Sequence, residues 1–156
     1  MKEKFKQAFI KVANTFAELS SAERLKVGAI VVKDDRIISI GYNGTVSGSD
    51  NACEYKEYGF DTRKYTLRDD AGNYRLVTYP HVIHAEMNAL MKLAKSHESG
   101  EGASLFITHS PCIECSKHIK QAGISHVYYE KEYRSSDGID FLRKHGVSCT
   151  QITSVK

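Results

Sequence analysis

The sequence contains no tryptophan, only 2 prolines in 156 residues, and no apolar run approaching the roughly 20 residues of a membrane-spanning helix. Its opening Met1-Lys2-Glu3-Lys4 leads into an amphipathic pattern and not into the apolar block of a signal peptide. Membrane insertion and export are therefore not the default expectation, and a cytoplasmic protein is expected. Charge of one sign is also lacking. The 22 Lys and Arg are interspersed with 19 Asp and Glu for a net charge of +3, without the basic stripe that neutralises the phosphates of a long nucleic acid. Cysteine is sparse. Cys53 and Cys149 are isolated while Cys112 and Cys115 form a C-x-x-C pair, which without a signal peptide points to metal or thiol chemistry before a disulfide framework. What is present, 41% hydrophobic residues with 11 Gly, suits one compact domain over residues 1–156, long enough to bury roughly 70% of the surface its unfolded chain exposes.

Phe5, Phe9, Val12, Phe16 and Leu19 recur every three to four residues and predict an amphipathic helix over roughly residues 2–20. Two β-branched runs, 27–32 and 36–40, flank Lys33-Asp34-Asp35 and predict an antiparallel pair. Helical spacing over 85–95, a strand at 105–108, a helix over 112–121 stopped by Gly123, and a strand at 127–129 follow. A helix over 139–144 stopped by Gly146 and a strand at 147–152 complete the order α-β-β-α-β-α-β-α-β. That order predicts a three-layer α-β-α domain, α/β in class, with a five-stranded mixed sheet that is parallel where helices cross over. Residues 47–80 fall outside the pattern. This insertion carries Arg63, Lys64, Arg68 and Arg75 among Tyr55, Tyr58, Phe60, Tyr65, Tyr74 and Tyr79, and its length and aromatic density predict an ordered lid with a binding role.

His84-Ala85-Glu86 opens one predicted helix and Pro111-Cys112-Ile113-Glu114-Cys115 opens the next. Cysteines three apart share a helical face, and a helix N-terminus favours thiolate through its free N–H groups and dipole. Two thiolates and one imidazole suit zinc, and three protein ligands leave a tetrahedral position for water, as in a catalytic site. On an ideal helix His84 and Glu86 lie about 200° apart, so they converge only if His84 precedes regular helix. Cys53 and His81 do not complete a ligand set for a second metal. His97, His109, His118, His126 and His145 read as surface or packing residues, and Cys149 as a small buried hydrophobe.

H-A-E followed by P-C-x-x-C resembles the zinc-dependent nucleobase deaminases. With Lys26-Val27-Gly28-Ala29-Ile30-Val31, Gly41-Tyr42-Asn43-Gly44-Thr45, residues 79–90 and Ser110-Pro111-Cys112, the chain resembles the deoxycytidylate deaminase family through most of its length. Membership implies hydrolysis of dCMP to dUMP and ammonia, with zinc on His84, Cys112 and Cys115. Glu86 is then the proton shuttle: it takes a proton from the attacking water, passes it to N3 of the cytosine and helps protonate the leaving amine. The resemblance further implies base contacts near Ala29 and Ser110, a sugar contact from Asn43, a nucleotide contact from Tyr133 and a phosphate contact from Lys26. It associates Asn43 and Gly44 with an effector nucleotide, dCTP activating and dTTP inhibiting with Mg2+ in attendance, in a homo-hexamer. Deamination of tRNA or single-stranded DNA, deamination of free cytidine or a riboflavin precursor, and a purely structural zinc module are the competing readings.

Overall fold

Asp34 and Asp35, with φ of 51° and 58°, form the two-residue left-handed turn that joins strands compatible with their natural twist. They connect β1 (Gly28–Lys33) to β2 (Arg36–Tyr42), which follow α1 (Glu3–Ala17). The structure, a computed structural model, describes residues 1–58, 68–69 and 73–155. After β2 the chain forms β3 (Glu54–Tyr58), β4 (Arg68–Asp69) and β5 (Asn73–Thr78), then α2 (Ala85–Ala94), β6 (Ser104–His109) and α3 (Ile113–Gln121). It ends with β7 (His126–Lys131), α4 (Asp137–Lys144) and β8 (Ser148–Gln151).

The main sheet has five strands in the order β2-β1-β6-β7-β8. β1 is antiparallel to both β2 and β6, whereas β6, β7 and β8 run parallel. The predicted mixed sheet is thus present. α2 joins β2 to β6 by passing over β1, and α3 and α4 each connect adjacent parallel strands. Alternation along the strands sorts the core into two layers. Ala29, Val31, Leu105, Ile107, Val127 and Tyr129 face α2, α3 and α4, while Ile30, Val32, Phe106 and Tyr128 face α1.

The predicted stripe of the first helix is present in part: Phe9, Val12 and Phe16 pack on the core, while Phe5 and Leu19 are exposed. Phe9, Ile10, Ala13 and Ala17 are buried, Phe5 is 37% exposed, and Leu19, at 60% exposure, lies beyond the helix end. The alanines face the sheet because α1 lies against the backbone of β1: a Cβ on Gly28 would stand 2.0 Å from the Ala13 carbonyl. The same close approach recurs where β2 meets α2. A Cβ on Gly41 would sit 2.3 Å from the Ala85 carbonyl and 2.5 Å from the Ala89 nitrogen.

The 47–80 insertion holds a second sheet, antiparallel in the order β3-β5-β4, where the sequence reading placed a lid without strands. Tyr55 and Tyr58 in β3 and Tyr74, Val77 and Thr78 in β5 are the strand formers of this pair. Arg75 pairs with Glu57 at 2.9 Å, and Lys56 stands over the Tyr74 ring at 4.5 Å. Phe60, Arg63, Lys64 and Tyr65 lie outside the described residues. At its root, Tyr79 N–H donates to the Cys53 carbonyl, and the Glu54 carboxylate accepts the backbone N–H groups of Glu23 and Arg24.

Gly41→Ala is expected to destabilise the protein by about 1–3 kcal/mol, because the methyl group forces β2 and α2 apart. Gly44→Ala, where a Cβ meets nothing within 4 Å, is the control and should fall within about 0.5 kcal/mol of the parent in urea titrations.

Candidate active site

α2 and α3 begin beside each other on one face of the sheet, and the residues that cap them are His84 and Cys112. Both have extended backbone, with ψ of 155° and 168°, so each side chain departs from the axis of the helix it precedes. This resolves the 200° separation: His84 lies outside the helical repeat, and Glu86, in the first turn of α2, returns to the same place. Pro111, just before Cys112, suits the extended approach to α3.

The His84 Nδ1 lies 3.6 Å from Cys112 Sγ and 3.4 Å from Cys115 Sγ, and all three donor atoms fall within 4.8 Å of one another. A tetrahedral zinc with bonds of about 2.3 Å to sulfur and 2.0–2.1 Å to nitrogen spaces S and N by about 3.6 Å, so the donor atoms fit it. Their protonation fits a cation as well. Cys112 is pulled down to about 3, first by its hydrogen bond with Cys115 and then by that with His84. Cys115 is pushed up by the same bond to Cys112 and by burial. Two neighbouring thiols share a proton because one thiolate holds the other thiol protonated, and a divalent cation removes that constraint. The hydrogen bond to Cys112 raises His84, against burial. Among the described residues this is the one cluster of metal-ligating side chains, and it has three members.

Glu86 is 4% exposed. Burial pushes its carboxyl up to about 7, over the opposing pull of its own backbone N–H and of His84. A carboxyl in that range gives and takes protons near neutrality, which is what a group that first accepts and then donates requires.

These groups form one end of a cleft of about 340 Å³, within the range of small-molecule sites. Asn43, Ser110 and Tyr133 line it, as do Val27, Arg24, Glu54, Thr78, His109, Glu132 and Arg134. Asn43 is held by its surroundings: its Oδ1 accepts Val27 N–H at 2.8 Å and its Nδ2 donates to the Leu25 carbonyl at 2.8 Å. Ser110 Oγ accepts Tyr133 N–H at 2.7 Å, tying the loop after β7 to the cysteine turn. Gly44 forms a two-bond bridge with Ile83, the residue before His84, and so fixes the approach to α2. The structure does not bring Lys26 and Ala29 to the cleft wall. Lys26 is exposed, and Ala29 is fully buried in the core against α2. Cys53 is buried beside Ser21, and His81 stacks on Tyr79.

Sequence reasoning overlooked Arg24, Arg134 and His109. Arg24 is placed by tertiary contacts, its backbone by Glu54 and its guanidinium by the Thr78 hydroxyl at 3.3 Å. His109 carries a signal that spacing alone could have supplied, since it ends a strand three residues before the first cysteine.

A site open to one further ligand beside a proton-carrying carboxyl defines a metal-assisted hydrolase. Similarity to known proteins narrows that class. Residues 3–131 match the cytidine and deoxycytidylate deaminase zinc-binding region, and the chain belongs to that family. The crystal structure of the dCMP deaminase of cyanophage S-TIM5 in complex with dCMP and dUMP is similar, with a TM-score of 0.82 and 46% identity over 97% of this chain and 99% of that one. The deoxycytidylate deaminase of Mycobacterium phage D29 is 38% identical over 80% of this chain and 92% of its own length. That of Enterobacteria phage T4 is 30% identical over 88% and 84%.

Gly138, in the first turn of α4, abuts the cysteine turn, and a Cβ there would lie 2.1 Å from the Pro111 carbonyl and 2.9 Å from the Cys112 carbonyl carbon. Gly138→Ala is expected to weaken zinc binding about 10- to 100-fold while circular dichroism stays that of the parent. Chelator competition measures the loss. In the parent the same assay should give one zinc per chain, held more tightly as pH rises, because the metal displaces the protons on the thiols and His84.

Proposed function

We propose that the protein is a zinc-dependent dCMP deaminase, hydrolysing dCMP to dUMP and ammonia and so supplying dUMP for thymidylate synthesis. The observation that carries the reading is the meeting of His84, Cys112 and Cys115 with the buried Glu86 at one end of a nucleotide-sized cleft. Similarity to a deaminase whose structure holds dCMP and dUMP supports the substrate.

His84, Cys112 and Cys115 hold the metal, which when bound lowers the pKa of a coordinated water to about 7. Glu86 accepts one proton of the attacking water and delivers it to N3 as oxygen adds at C4, then takes the remaining proton from the new C4 hydroxyl and passes it to the amine, which leaves as ammonia as the C4–N bond breaks and the C4 carbonyl forms. Ser110 and, in place of Ala29, Val27 are offered to the base because both line the cleft, and Asn43, preset by Leu25 and Val27, offers its remaining hydrogen-bonding capacity to the sugar. Tyr133, at the cleft rim beneath the Arg134 guanidinium, contacts the nucleotide. From the segment ahead of β1, the cation offered to the phosphate is Arg24 instead of Lys26, because Arg24 lines the cleft.

Regulation extends the same reading. The Asn43-Gly44 turn ends β2, an edge strand of the main sheet, where another subunit can meet it. A dNTP with Mg2+ at this turn in a homo-hexamer, dCTP activating and dTTP inhibiting, shifts activity by binding two states of the assembly unequally. The reaction takes place in the cytoplasm on free nucleotide. No described helix is long and apolar enough to cross a membrane.

Assay of the zinc-loaded protein on dCMP, deoxycytidine, dCTP and a cytosine-containing oligonucleotide tests the substrate, and dCMP is expected to be turned over most efficiently. Glu86→Gln should retain its zinc and its fold yet lose about 10²- to 10⁴-fold in kcat. A variant that keeps half its turnover contradicts the shuttle. Saturating dCTP and dTTP should move the dCMP saturation curve in opposite directions, and unchanged initial rates with no calorimetric binding would remove the regulatory part alone.

A further inference from the structure

His109 is the last residue of β6 and half-buried in the cleft wall beside Ser110. Its Nδ1 lies 3.0 Å from the hydroxyl oxygen of Thr108, which also accepts the backbone N–H of Gly28 at 3.2 Å. Thr108 is 2% exposed, so its hydroxyl proton must find a protein acceptor. Among the described residues the acceptor it meets is His109 Nδ1. With that proton given to Nδ1, the chain of bonds runs from Gly28 N–H to the Thr108 oxygen and from Thr108 O–H to the ring. The ring proton is left on Nε2. Burial and the neighbouring Lys131, its register partner on β7, hold the imidazole below its usual range against the weaker pull of Glu130, so the ring is neutral.

His109 is separated from Cys112 by Ser110 and Pro111, a span of roughly 10 Å if the segment is extended, at about 3.3 Å per residue. A cytosine placed at Glu86 leaves its sugar and phosphate at about that remove. Lys131 stands beside the ring, and Arg24 and Arg134 line the same cleft, along with Glu54 and Glu132.

We infer that His109 is a specificity-determining residue whose Nε2–H, fixed as a donor by Gly28 and Thr108, hydrogen-bonds the 5′-phosphate of the bound nucleoside monophosphate. The inference rests on the deaminase reading. An imidazole free to exchange tautomers would present an acceptor to the phosphate part of the time. The relay prevents this, and a substrate without a phosphate leaves the donor unpaired in a half-buried wall.

Nitrogen-15 NMR of the zinc-loaded protein at neutral pH should show His109 as the Nε2–H tautomer, and as a tautomer mixture in Thr108→Val. His109→Leu should lower kcat/KM for dCMP about 10- to 100-fold, mostly through KM, and lower it less for deoxycytidine. His109→Gln, which keeps an N–H donor near the Nε2 position, should recover most of the loss. An Nδ1–H or doubly protonated ring, equal losses on the two substrates, or a Gln variant as poor as Leu would each overturn the inference. Wild-type protein inactive on dCMP would overturn the deaminase reading instead. Calorimetric binding of dCMP to the parent and to His109→Leu then decides the phosphate contact separately, with equal affinities counting against it.

Discussion

Two helices that start at one point control the rest of this structure. α2 and α3 both begin on the same face of the sheet, and each is preceded by an extended residue whose side chain turns away from its helix: His84 in one case, Cys112 in the other. Two N-termini facing a common space concentrate unpaired N–H groups and positive dipole ends there. That field favours thiolates and a carboxylate close together, where their mutual repulsion would otherwise keep them protonated. Cys112 is pulled down by its hydrogen bonds with Cys115 and His84, while Glu86, deeper and drier, is pushed up. One is prepared to hold a cation and the other to carry a proton.

Convergence at this scale needs the layers to lie close. Where β2 meets α2 and where α4 meets the cysteine turn, backbone approaches backbone with no room for a Cβ, at Gly41 and Gly138. The site therefore depends on positions that never touch a ligand, and a single methyl group at either changes the spacing of two helix starts. Interiors at this packing density pass such a change on and do not absorb it.

The far end of the cleft is built differently. Its wall is assembled from connecting segments held by side-chain to backbone bonds: Asn43 to Leu25 and Val27, Glu54 to Glu23 and Arg24, Ser110 to Tyr133. Each bond ties parts of the chain distant in sequence, and the small β3-β5-β4 sheet is anchored to the cleft through the same contacts. The candidate metal donors sit on helix starts and the far wall of the cleft on stitched loops, so either can change without rebuilding the other.

Much of this was legible in the residues. Apolar periodicity and β-branched runs located four helices and five strands of the main sheet, because those patterns report which face of each element is buried. H-A-E and P-C-x-x-C marked the metal donors, because thiolate, imidazole and carboxylate at helix starts have few other uses together. What spacing could not supply was distance across the fold. The close docking of α1 turned on a glycine in another element as well as on its own Phe9 and Phe16, because Gly28 lets Ala13 and Ala17 reach the sheet. Arg24 entered the cleft wall where Lys26 did not, because Glu54 and Thr78 hold it there. The strands of the insertion had no long apolar period to announce them. His109 reads from the sequence as a surface or packing residue, and its place in the cleft wall, beside a Thr108 hydroxyl that also holds Gly28 80 positions away, is visible only in the fold. Local pattern determines which elements form and which donor atoms are available, since both depend on near neighbours. Tertiary structure alone decides which of those donors face a common space, since that depends on how closely distant backbones can approach.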